Sequence, residues 1–532
     1  ARRQRQMCIR DRTGTTTLTT SANDATITLD VTTNAFTGAL TITTNDASGT
    51  DADVTIDGGT TALIIAASTI DGDLTLTTGH ASGITDSGNV VVGGNFSATT
   101  DDNNGVINVG TMQVDGTVAL TTNGNGAATI VNDAGLNFAA STVTGALTAT
   151  ATTGNITDSG NLAITGAAVF TTGATGSNIE LDSSGNAFAA AVTLQADDGS
   201  EAFGNITFVD SAAIDFATSA GSNGDLFINA GTDGAVGGNL SVTATTGNIT
   251  DTVALAVTGT SSFTTSANDA TITLDNASNA LASAVTLSTT GSSANATIDN
   301  GTTALDIAAS TVGGNLVVTA GDSITDSGII TVGGTASFTT DTTDKLITLN
   351  SQNAITGQIT FSTIGTGGDV TLDNGTTAIS LGTIASNAIG GDLSLLTDAA
   401  QTISNAITLG GSGADLTITV DNANSLTVQA ALTTNAGDIT LSADDDVIFT
   451  AAGDISSTNG NISVTADDDA TADSGTGGAL TMADGTVFSA ASGTITGISD
   501  EDLTLGQMTT TNSTSTAITL NTKNGNILDG GD

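Results

Sequence analysis

Internal repetition is the feature that most constrains the fold of this chain. The segment TTSANDATITLD at positions 19–30 recurs identically at 264–275. Near the C-terminus, GDITLSADDD at 437–446 is followed by GNISVTADDD at 460–469, and we interpret this offset as one coil. Repeats of this kind indicate one structural unit used many times, each unit stacking on the next. We therefore expect function to lie in an extended surface rather than in one pocket.

A longer composite motif also recurs. The tetrapeptide G-G-N-L is followed by I-T-D, usually continued as S-G, and then by a phenylalanine. The I-T-D copies and the matching phenylalanines begin at Ile84, Ile156, Ile249 and Ile324, and at Phe96, Phe170, Phe263 and Phe338. Their spacing indicates duplication of units that each contain several coils.

Within each unit the residues alternate as in half-buried strands. In TITL at 26–29 and LTLT at 74–77, aliphatic residues point to one face and threonines to the other. Gly, Asn and Asp punctuate these segments and supply turns. No helical period persists, and the absence of proline suits strands that all donate hydrogen bonds. With 38% hydrophobic residues and 66 glycines, the chain can bury a core of small and aliphatic side chains.

Two all-β architectures fit this pattern, a sandwich and a parallel β-helix. Independent sandwich domains do not need residue-level repeats at the spacing of one coil, whereas a β-helix does. The sequence therefore predicts an all-β parallel β-helix, or β-solenoid, with coils of roughly 20–25 residues. Like residues would form ladders, with Phe on Phe and Ile on Ile inside and Asn at the turns.

The first twelve residues, ARRQRQMCIRDR, differ in composition from the rest. They hold five of the seven basic residues and the single cysteine, Cys8; the other cations are Lys345 and Lys523. The segment resembles the translated remnant of a sequencing adapter or cloning scar, as found at the ends of metagenomic reading frames, and residues 1–12 are excluded from fold reasoning. A basic N-terminal arm is the alternative. Residues 13–532 are expected to form one continuous β-solenoid repeat region, a fragment of a larger protein.

The charge of the chain argues against several partners. The formal net charge is −47, and residues 13–532, with 53 acidic and 2 basic side chains, carry −51. A field of this sign repels nucleic acid and anionic membranes. No apolar run reaches the roughly 18 residues that a spanning helix needs, so no transmembrane segment is expected.

The alternating strands, the coil GNISVTADDD and the block ITDSGNLAITGAAVFTT at 156–172 resemble repeats of large secreted bacterial exoproteins, the filamentous-haemagglutinin-like and autotransporter-like adhesins. The resemblance covers most of residues 13–532. It implies a right-handed parallel β-helix, export across the outer membrane, and a role in attachment or biofilm formation at the bacterial cell surface. The secretion and translocator domains of that family have no counterpart in these repeats, so we expect an internal fragment.

Few residues could carry catalysis. His80, the only histidine, lies in the turn GHASG at 79–83, where a solvated turn residue is expected rather than a member of a nucleophilic triad. Adjacent carboxylates occur at 101–102, 197–198, 444–446 and 467–469. Some β-helix glycosidases use Asp pairs as acid and base, but this chain has few cationic or aromatic groups to hold a sugar. We expect no enzymatic activity; a β-helix carbohydrate-active enzyme is the alternative.

Calcium binding explains these carboxylates better than catalysis does, and no other cofactor is expected. Hard divalent cations prefer oxygen ligands, and stacking would bring carboxylates on adjacent coils to about 5 Å. The candidate ligands are two triplets one predicted coil apart: Asp444, Asp445 and Asp446, and Asp467, Asp468 and Asp469. The hexad GGSGAD at 410–415 also matches the start of a calcium-binding nonapeptide repeat, as a single copy with Thr417 where a large apolar residue is expected.

Outward rows of threonine, such as Thr26/Thr28 and Thr271/Thr273, are also found in ice-binding solenoids, although irregular unit lengths argue against a flat, lattice-matched face. The predicted function is a structural and adhesive stalk segment of an extracellular or cell-surface exoprotein. Its partners would be surface glycans, proteins or further copies of itself. An S-layer or extracellular-matrix structural protein is the nearest alternative.

Overall fold

The computed structural model describes residues 14–45, 52–196, 204–217, 225–229, 236–467 and 477–531. Within these ranges every regular element is a β-strand. The chain divides into two compact units, Ala1–Ala267 and Asn268–Asp532, here called the N-terminal and C-terminal units. The leader at 1–12 lies outside the described residues.

The strands of the N-terminal unit are short. The last one ends at the first residue of the C-terminal unit. In chain order they are Thr16–Thr19, Ile27–Leu29, Leu40–Thr43, Val54–Asp57, Leu63–Ile65, Ser68–Ile70, Leu74–Thr78, Ile84–Asp86, Val90–Val92, Phe96–Asn103, Ile107–Val114, Thr117–Asn123, Ala128–Asn132, Leu136–Phe138, Ser141–Val143, Leu147–Ala151, Ile156–Asp158, Leu162–Ile164, Ala168–Thr172, Ile179–Leu181, Ala187–Phe188, Val192–Ala196, Ile206–Asp210, Ile214–Phe216, Asp225–Asn229, Leu240–Ala244, Ile249–Asp251, Ala256–Val257 and Ser261–Asn268.

The C-terminal unit is built in the same way. Its strands are Ile272–Leu274, Ala280–Leu281, Val285–Thr290, Ala296–Asp299, Leu305–Ile307, Ser310–Val312, Leu316–Ala320, Ile324–Asp326, Ile330–Val332, Ala336–Thr343, Ile347–Leu349, Ala354–Ile355, Gln358–Ile364, Val370–Asp373, Ser380–Leu381, Leu393–Thr397, Gln401–Ile403, Ile407–Ser412, Leu416–Val420, Leu426–Val428, Leu432–Asn435, Ile439–Ala443, Val447–Phe449, Ile455–Ser457, Ile462–Ala466, Leu480–Met482, Val487–Ser489, Ile495–Ser499, Leu503–Leu505, Gln507–Thr509, Ile518–Thr522 and Ile527–Asp529.

Parallel pairing between successive coils confirms the predicted parallel β-solenoid, and the two units together comprise about 21 turns. In the N-terminal unit Val54 pairs with Leu74, and Leu74 pairs with Phe96. In the C-terminal unit the successive partners are Val370, Leu393, Leu416, Ile439 and Ile462. The last step contains the GDITLSADDD and GNISVTADDD copies, so their offset is one coil.

Two coils, of 34 and 33 residues, are much longer than predicted. They separate Ile206 from its partner Leu240, and Ile462 from its partner Ile495. The additional residues include 218–224, 230–235 and 468–476, which lie outside the described ranges. The register is regained beyond each insertion, because the inward aliphatic pattern resumes there.

The core of each unit is formed by the inward residues of the alternating strands. In the strand Leu416–Val420, the three aliphatic side chains are at most 1% exposed, whereas the two threonines between them are half-buried. Full burial of such a side chain stabilises the fold by about 1.5–3 kcal/mol.

The phenylalanines of the composite motif lie in the core, but the predicted stacking of Phe on Phe is seen in register at Phe338, whereas Phe96 and Phe170 pair with aliphatic residues. All four are buried, and Phe338 lies in register with Phe361, with ring centroids 6.0 Å apart and the planes at 22°. Phe170 contacts Phe138 edge to face at 6.1 Å. The first pair lies on two paired strands, and the second joins strands of different sheets across the core.

The identical segments at 19–30 and 264–275 share a turn conformation. Asp24 and Asp269 hold the same place in the two copies and have φ values of 60° and 64°. Asn and Asp tolerate this left-handed region better than other residues with a side chain. The repeat therefore preserves turn chemistry as well as core pattern.

Candidate functional site

The position that the asparagine of the Gly-Gly-Asn-Leu motif occupies, directly before a strand, forms a hydrogen-bonded ladder between coils. The Asn or Asp before the strand accepts, through Oδ1, the backbone N–H of the residue in the same position one coil further on. We call the longest such run in the described part of the N-terminal unit the amide ladder. Its donor–acceptor distances are 2.7–2.9 Å, and it links Asn155, Asn178, Asn205, Asn239 and Thr260.

The glycine that precedes most ladder residues is favoured by the closeness of the coils, although Ser177 and Ala414 hold that place before Asn178 and Asp415. A Cβ at Gly314 would lie 2.5 Å from Asn295 Oδ1, and one at Gly72 would lie 2.5 Å from Asp53 Oδ1. Real Cβ atoms essentially never approach so closely. Where glycine precedes Asn or Asp, the close approach of the preceding coil explains it without a ligand.

The C-terminal unit carries a charged version of the same structure, here called the carboxylate ladder. It runs through Asp369, Asp392, Asp415 and Asp438 to Asn461, with distances of 2.7–2.9 Å. Desolvation, followed by the charges of the two flanking carboxylates, raises the pKa of Asp392. Asp415 belongs to the GGSGAD hexad, and its Oδ1 accepts the N–H of Asp438.

The aspartate of the I-T-D motif also bonds to the next coil. Asp326 accepts from the N–H of Asn350 at 2.8 Å and from Asn353 Nδ2 at 2.7 Å. Asp158 makes the matching bonds to the N–H of Asp182 at 2.8 Å and to Asn186 Nδ2 at 2.7 Å. Because Asp326 and Asp158 are each only 9% exposed, the motif clamps coils together and is not displayed to a substrate.

Sequence reasoning missed a set of buried asparagines that pair with the preceding coil as a peptide group would. Asn300 accepts from the N–H of Leu281 at 2.8 Å and donates to its carbonyl at 3.1 Å. Asn374 does the same with Ile355, at 3.0 and 3.1 Å. The hexapeptide DNGTTA, present at 299–304 and 373–378, is the signal that could have identified them.

An aspartate takes the place of one of these asparagines in the N-terminal unit. Asp210, 2% exposed, accepts from the N–H of Phe188 at 3.0 Å. Burial raises the pKa of Asp210, against the lowering effect of backbone N–H groups. This carboxyl group is buried for a structural reason, because it accepts a backbone N–H of the preceding coil, as Asn300 and Asn374 do.

The structure places part of the predicted calcium site. The N–H of Asp467 donates to the Asp445 carbonyl at 3.3 Å, so the two triplets lie on adjacent coils as predicted. Asp445 Oδ2 accepts from the Ser425 hydroxyl at 2.7 Å, and Asp467 Oδ2 lies 3.2 Å from Lys523 Nζ.

Two other members of the triplets also bond to the protein. Asp446 Oδ1 accepts the N–H of Ala479 at 2.9 Å, and Asp444 Oδ2 accepts that of Ala423 at 3.4 Å. Asp468 and Asp469 lie outside the described residues. Within the described ranges, no three His, Cys, Asp or Glu side chains are arranged to hold a metal ion, and calcium binding by the triplets stays a prediction.

The other candidate residues have local roles. His80 Nδ1 accepts the N–H of Ser82 at 3.0 Å inside its own turn. In the pair Asp101–Asp102, the carbonyl of Asp102 accepts the N–H of Gly105, and the pair at 197–198 lies outside the described residues. No helix in the described part of the chain is long and apolar enough to span a membrane.

The outward hydroxyl groups form rows as predicted. In the C-terminal unit one row continues in register over nine strands: Thr325, Thr348, Thr371, Ser394, Thr417, Thr440, Ser463, Thr496 and Thr519. Ser442, on the parallel row, is only 7% exposed. The face is therefore not uniformly open, and ice binding stays a prediction.

Comparison with known proteins gives one match. A family model described as repeats of unknown function (DUF5649) matches residues 125–195, 204–288 and 293–362. Each matched segment contains one I-T-D copy, and each copy is followed within the segment by its phenylalanine. No curated protein and no solved structure matches the chain. The match and the fold support a repeat β-helix protein and assign no activity.

Proposed function

We propose that this chain is a structural and adhesive stalk segment of a secreted or cell-surface bacterial exoprotein, without catalytic activity, that mediates attachment or biofilm formation. One observation carries the proposal. Within the described ranges, the polar residues of the recurring motifs bond to a neighbouring coil, as Asn178, Asp326 and Asn374 do, and do not converge on a reaction centre. A stack of this kind gains stability from nearest-neighbour contacts and can present one surface many times.

The net negative charge of the chain limits which extracellular partners it can bind. With 54 acidic and 7 basic residues, the chain repels nucleic acid and anionic surfaces. Neutral glycans and proteins remain as targets, and many weak contacts along repeated coils can add up to firm attachment.

The test is attachment of beads that carry the full chain to surfaces coated with neutral polysaccharide or with protein. We expect more attachment than for albumin-coated beads, and no release of reducing sugar from the polysaccharide. Attachment at the albumin level, or release of sugar, would reject the proposal.

A deletion variant tests whether the deleted coils themselves contact the target surface or only space the other coils. Deleting residues 393–438 joins Asp392 to Ile439, which stands in the register position of Leu393, and removes two regular coils. Unchanged attachment by this variant would show that the contact surface lies in the remaining coils.

A further inference from the structure

An asparagine followed by glycine is a place where a protein chain can modify itself. The backbone nitrogen of the glycine can attack the amide carbon of the asparagine side chain, and glycine has no Cβ to crowd that attack. In this chain the asparagines of such pairs stand at 104, 123, 125, 223, 300, 374, 459 and 524. The pair at 223–224 lies outside the described residues.

The reaction makes two demands on the local structure. The glycine N–H must lose its proton, so a hydrogen bond from this N–H to another residue opposes the reaction. The asparagine side chain must also bring its amide carbon close to the glycine nitrogen, to about 3–3.5 Å as in other reactive geometries. A fold that holds either group elsewhere therefore suppresses the modification.

In six of the seven described pairs, the glycine N–H is donated to another residue. The glycines and their acceptors are Gly105 with the Asp102 carbonyl, Gly126 with the Asn123 carbonyl, Gly301 with Asp299 Oδ1, Gly375 with Asp373 Oδ1, Gly460 with Ser457 Oγ, and Gly525 with Thr522 Oγ1. The distances are 2.8–3.2 Å. In these pairs the fold opposes loss of the proton.

The buried asparagines of the stack are protected a second time. The side chains of Asn300 and Asn374 are held by the backbone of Leu281 and Ile355 in the preceding coil. Their amide groups are therefore directed into the stack, and the glycines that follow them are buried. Both demands of the reaction go unmet at these two positions.

The pair Asn123–Gly124 is the exception among the described pairs. Both residues are exposed, in the turn where the strand Thr117–Asn123 ends. The Gly124 N–H donates to Oδ1 of Asn123 itself at 2.8 Å. The side-chain amide group therefore already lies beside the nitrogen that would attack it.

The same turn contains a matched internal comparison, Asn125–Gly126. Asn125 is exposed as Asn123 is, and the local sequence is NGNG at 123–126. Gly126, however, is buried, and its N–H is donated to the Asn123 carbonyl at 3.1 Å. The two asparagines share their solvent exposure and differ in whether the next N–H is held by another residue.

We propose that Asn123 is a site of spontaneous deamidation in the folded chain. The Gly124 nitrogen gives its proton to hydroxide and forms a bond to Cγ of Asn123. The bond from Cγ to the side-chain nitrogen breaks, and this nitrogen takes up a proton from water and leaves as ammonia. A second water then opens the cyclic imide at either carbonyl, so the product is aspartate or isoaspartate. No oxidant or enzyme is required.

The isoaspartate product alters the coil as well as its charge. Its main chain runs through the former side chain and is longer by a methylene group. The Asn123 carbonyl, which accepts the N–H groups of Asn104 and Gly126, becomes part of a free carboxylate outside the main chain. This chemistry changes one corner of the N-terminal unit and is independent of the proposed adhesive function.

The experiment is incubation of the full folded chain at pH 7, followed by proteolytic cleavage before aspartate and mass spectrometry. The peptide 115–132, released between Asp115 and Asp133, contains both Asn123 and Asn125. A new cut before position 123 reports aspartate there, whereas isoaspartate resists the protease and is found by fragmentation. Conversion at Asn123 should be about tenfold faster than at Asn125, the factor that one hydrogen bond can supply.

The same chain unfolded in guanidinium chloride provides the control. There every pair has the same glycine neighbour and no fold to protect it, so the rates at Asn123, Asn125, Asn300 and Asn374 should be similar. Equal rates at Asn123 and Asn125 in the folded chain would overturn the proposal. So would conversion at Asn123 that is about tenfold slower in the folded than in the unfolded chain.

The matched variant is Gly124→Asn, which adds a Cβ beside the attacking nitrogen. Gly124 has a φ of 68°, and asparagine tolerates this left-handed region, so the turn should be retained; hydrogen exchange checks that it is. Conversion at position 123 should slow by about tenfold, because the attack is crowded. An unchanged rate would show that the Gly124 nitrogen is not the attacking group and would overturn the proposed chemistry.

Discussion

The amide ladder of the N-terminal unit and the carboxylate ladder of the C-terminal unit make the same hydrogen bond with different charge. Each side-chain Oδ1 accepts the N–H of the next coil at 2.7–2.9 Å in both. In the carboxylate ladder, however, four carboxylates stack at about the 4.8 Å strand spacing. The comparison teaches that this bond fixes the register of the coils, whereas the charge decides how the stack responds to pH and salt.

The pKa shifts give the sign of that response. Desolvation and neighbouring carboxylates raise the pKa values of Asp392 and Asp373. A carboxyl group with a raised pKa binds its proton more tightly in the folded chain than in the unfolded chain. Its protonation therefore stabilises the fold most below the ordinary pKa near 3.9, and this stabilisation is lost as pH rises through the raised pKa. The C-terminal unit should therefore become more stable as pH falls from 7 towards 4. Asp322, whose pKa Lys345 lowers, opposes this weakly, because its ion pair is partly exposed.

The largest expected change in stability comes from replacing the carboxylates of the carboxylate ladder with neutral amides. Replacing Asp369, Asp392, Asp415 and Asp438 with Asn keeps every acceptor and removes three facing repulsions, each worth about 1 kcal/mol at low salt. The C-terminal unit should gain up to about 3 kcal/mol at pH 7 from the three together. Hydrogen exchange at pH 7 and pH 4, resolved by unit, is the measurement.

The reverse exchange provides the control for that experiment. Asp at 155, 178, 205 and 239 should destabilise the N-terminal unit at pH 7 and much less at pH 4. Equal stabilities for all three chains at pH 7 and low salt would show that the stacked charges do not repel.

Adding a methyl group at a glycine that packs against the preceding coil should destabilise both ladders to a similar extent. A Cβ at Gly391 would collide with Asp369 Oδ1, and one at Gly204 would collide with Asn178 Oδ1. Gly391→Ala and Gly204→Ala should each cost about 2 kcal/mol, as overpacking does, measured by urea unfolding. Gly110→Ala is the matched control, since nothing lies within 4 Å of its Cβ position. A cost no greater than the control's would contradict the close approach.

Replacing the buried aspartate of the N-terminal unit should stabilise that unit. Asp210→Asn restores the amide found at Asn132 and Asn300, with an added donor and without a buried charge, and should gain about 1 kcal/mol at pH 7. The gain should shrink at pH 4, where the raised pKa lets Asp210 take up a proton. Thermal melts at both pH values test this, and a loss of stability at pH 7 would show that the charge itself is needed.

Removing one hydrogen-bond acceptor from each ladder should reveal a smaller difference in stability between the two ladders. Asn205→Ala removes one hydrogen bond, at a cost of about 0.5–1.5 kcal/mol. Asp415→Ala removes the equivalent bond but also relieves repulsion from Asp392 and Asp438, so its net cost at low salt should be smaller. Added salt should bring the two costs together in urea titrations, and a larger cost for Asp415→Ala at low salt would go against the comparison.

Calcium should give the smallest effect, confined to the C-terminal unit. If the Asp444–446 and 467–469 triplets bind the ion, millimolar calcium should raise the melting temperature of the full chain, and Asp445→Asn should reduce the rise. Magnesium serves as the control cation, because it dehydrates reluctantly and demands stricter geometry. Identical melts with and without calcium would reject the site.

The fold could be predicted because the period-two alternation and the repeat offset are local signals. The offset between the copies at 437–446 and 460–469 proved to be the pairing of Ile439 with Ile462. The ladder roles could not be derived, because they depend on which side chain meets which backbone N–H across coils. Asp415 suggested a calcium motif in sequence and accepts a backbone hydrogen bond in the structure. Asn300 and Asn374 looked like ordinary turn residues, since burial of a turn asparagine is a property of the stack.

Amide exchange at the ladder residues tests the central claim most directly. The side chains of Asn178, Asn205, Asp392 and Asp415 lie in surface turns, yet their backbone N–H groups are bonded to the preceding coil. Residue-resolved hydrogen exchange on the full chain should show these N–H groups protected as strongly as those inside the adjoining strands. Exchange at the rate of an unstructured turn would show that the ladders do not hold the coils together, and the structural reading of the recurring motifs would fail.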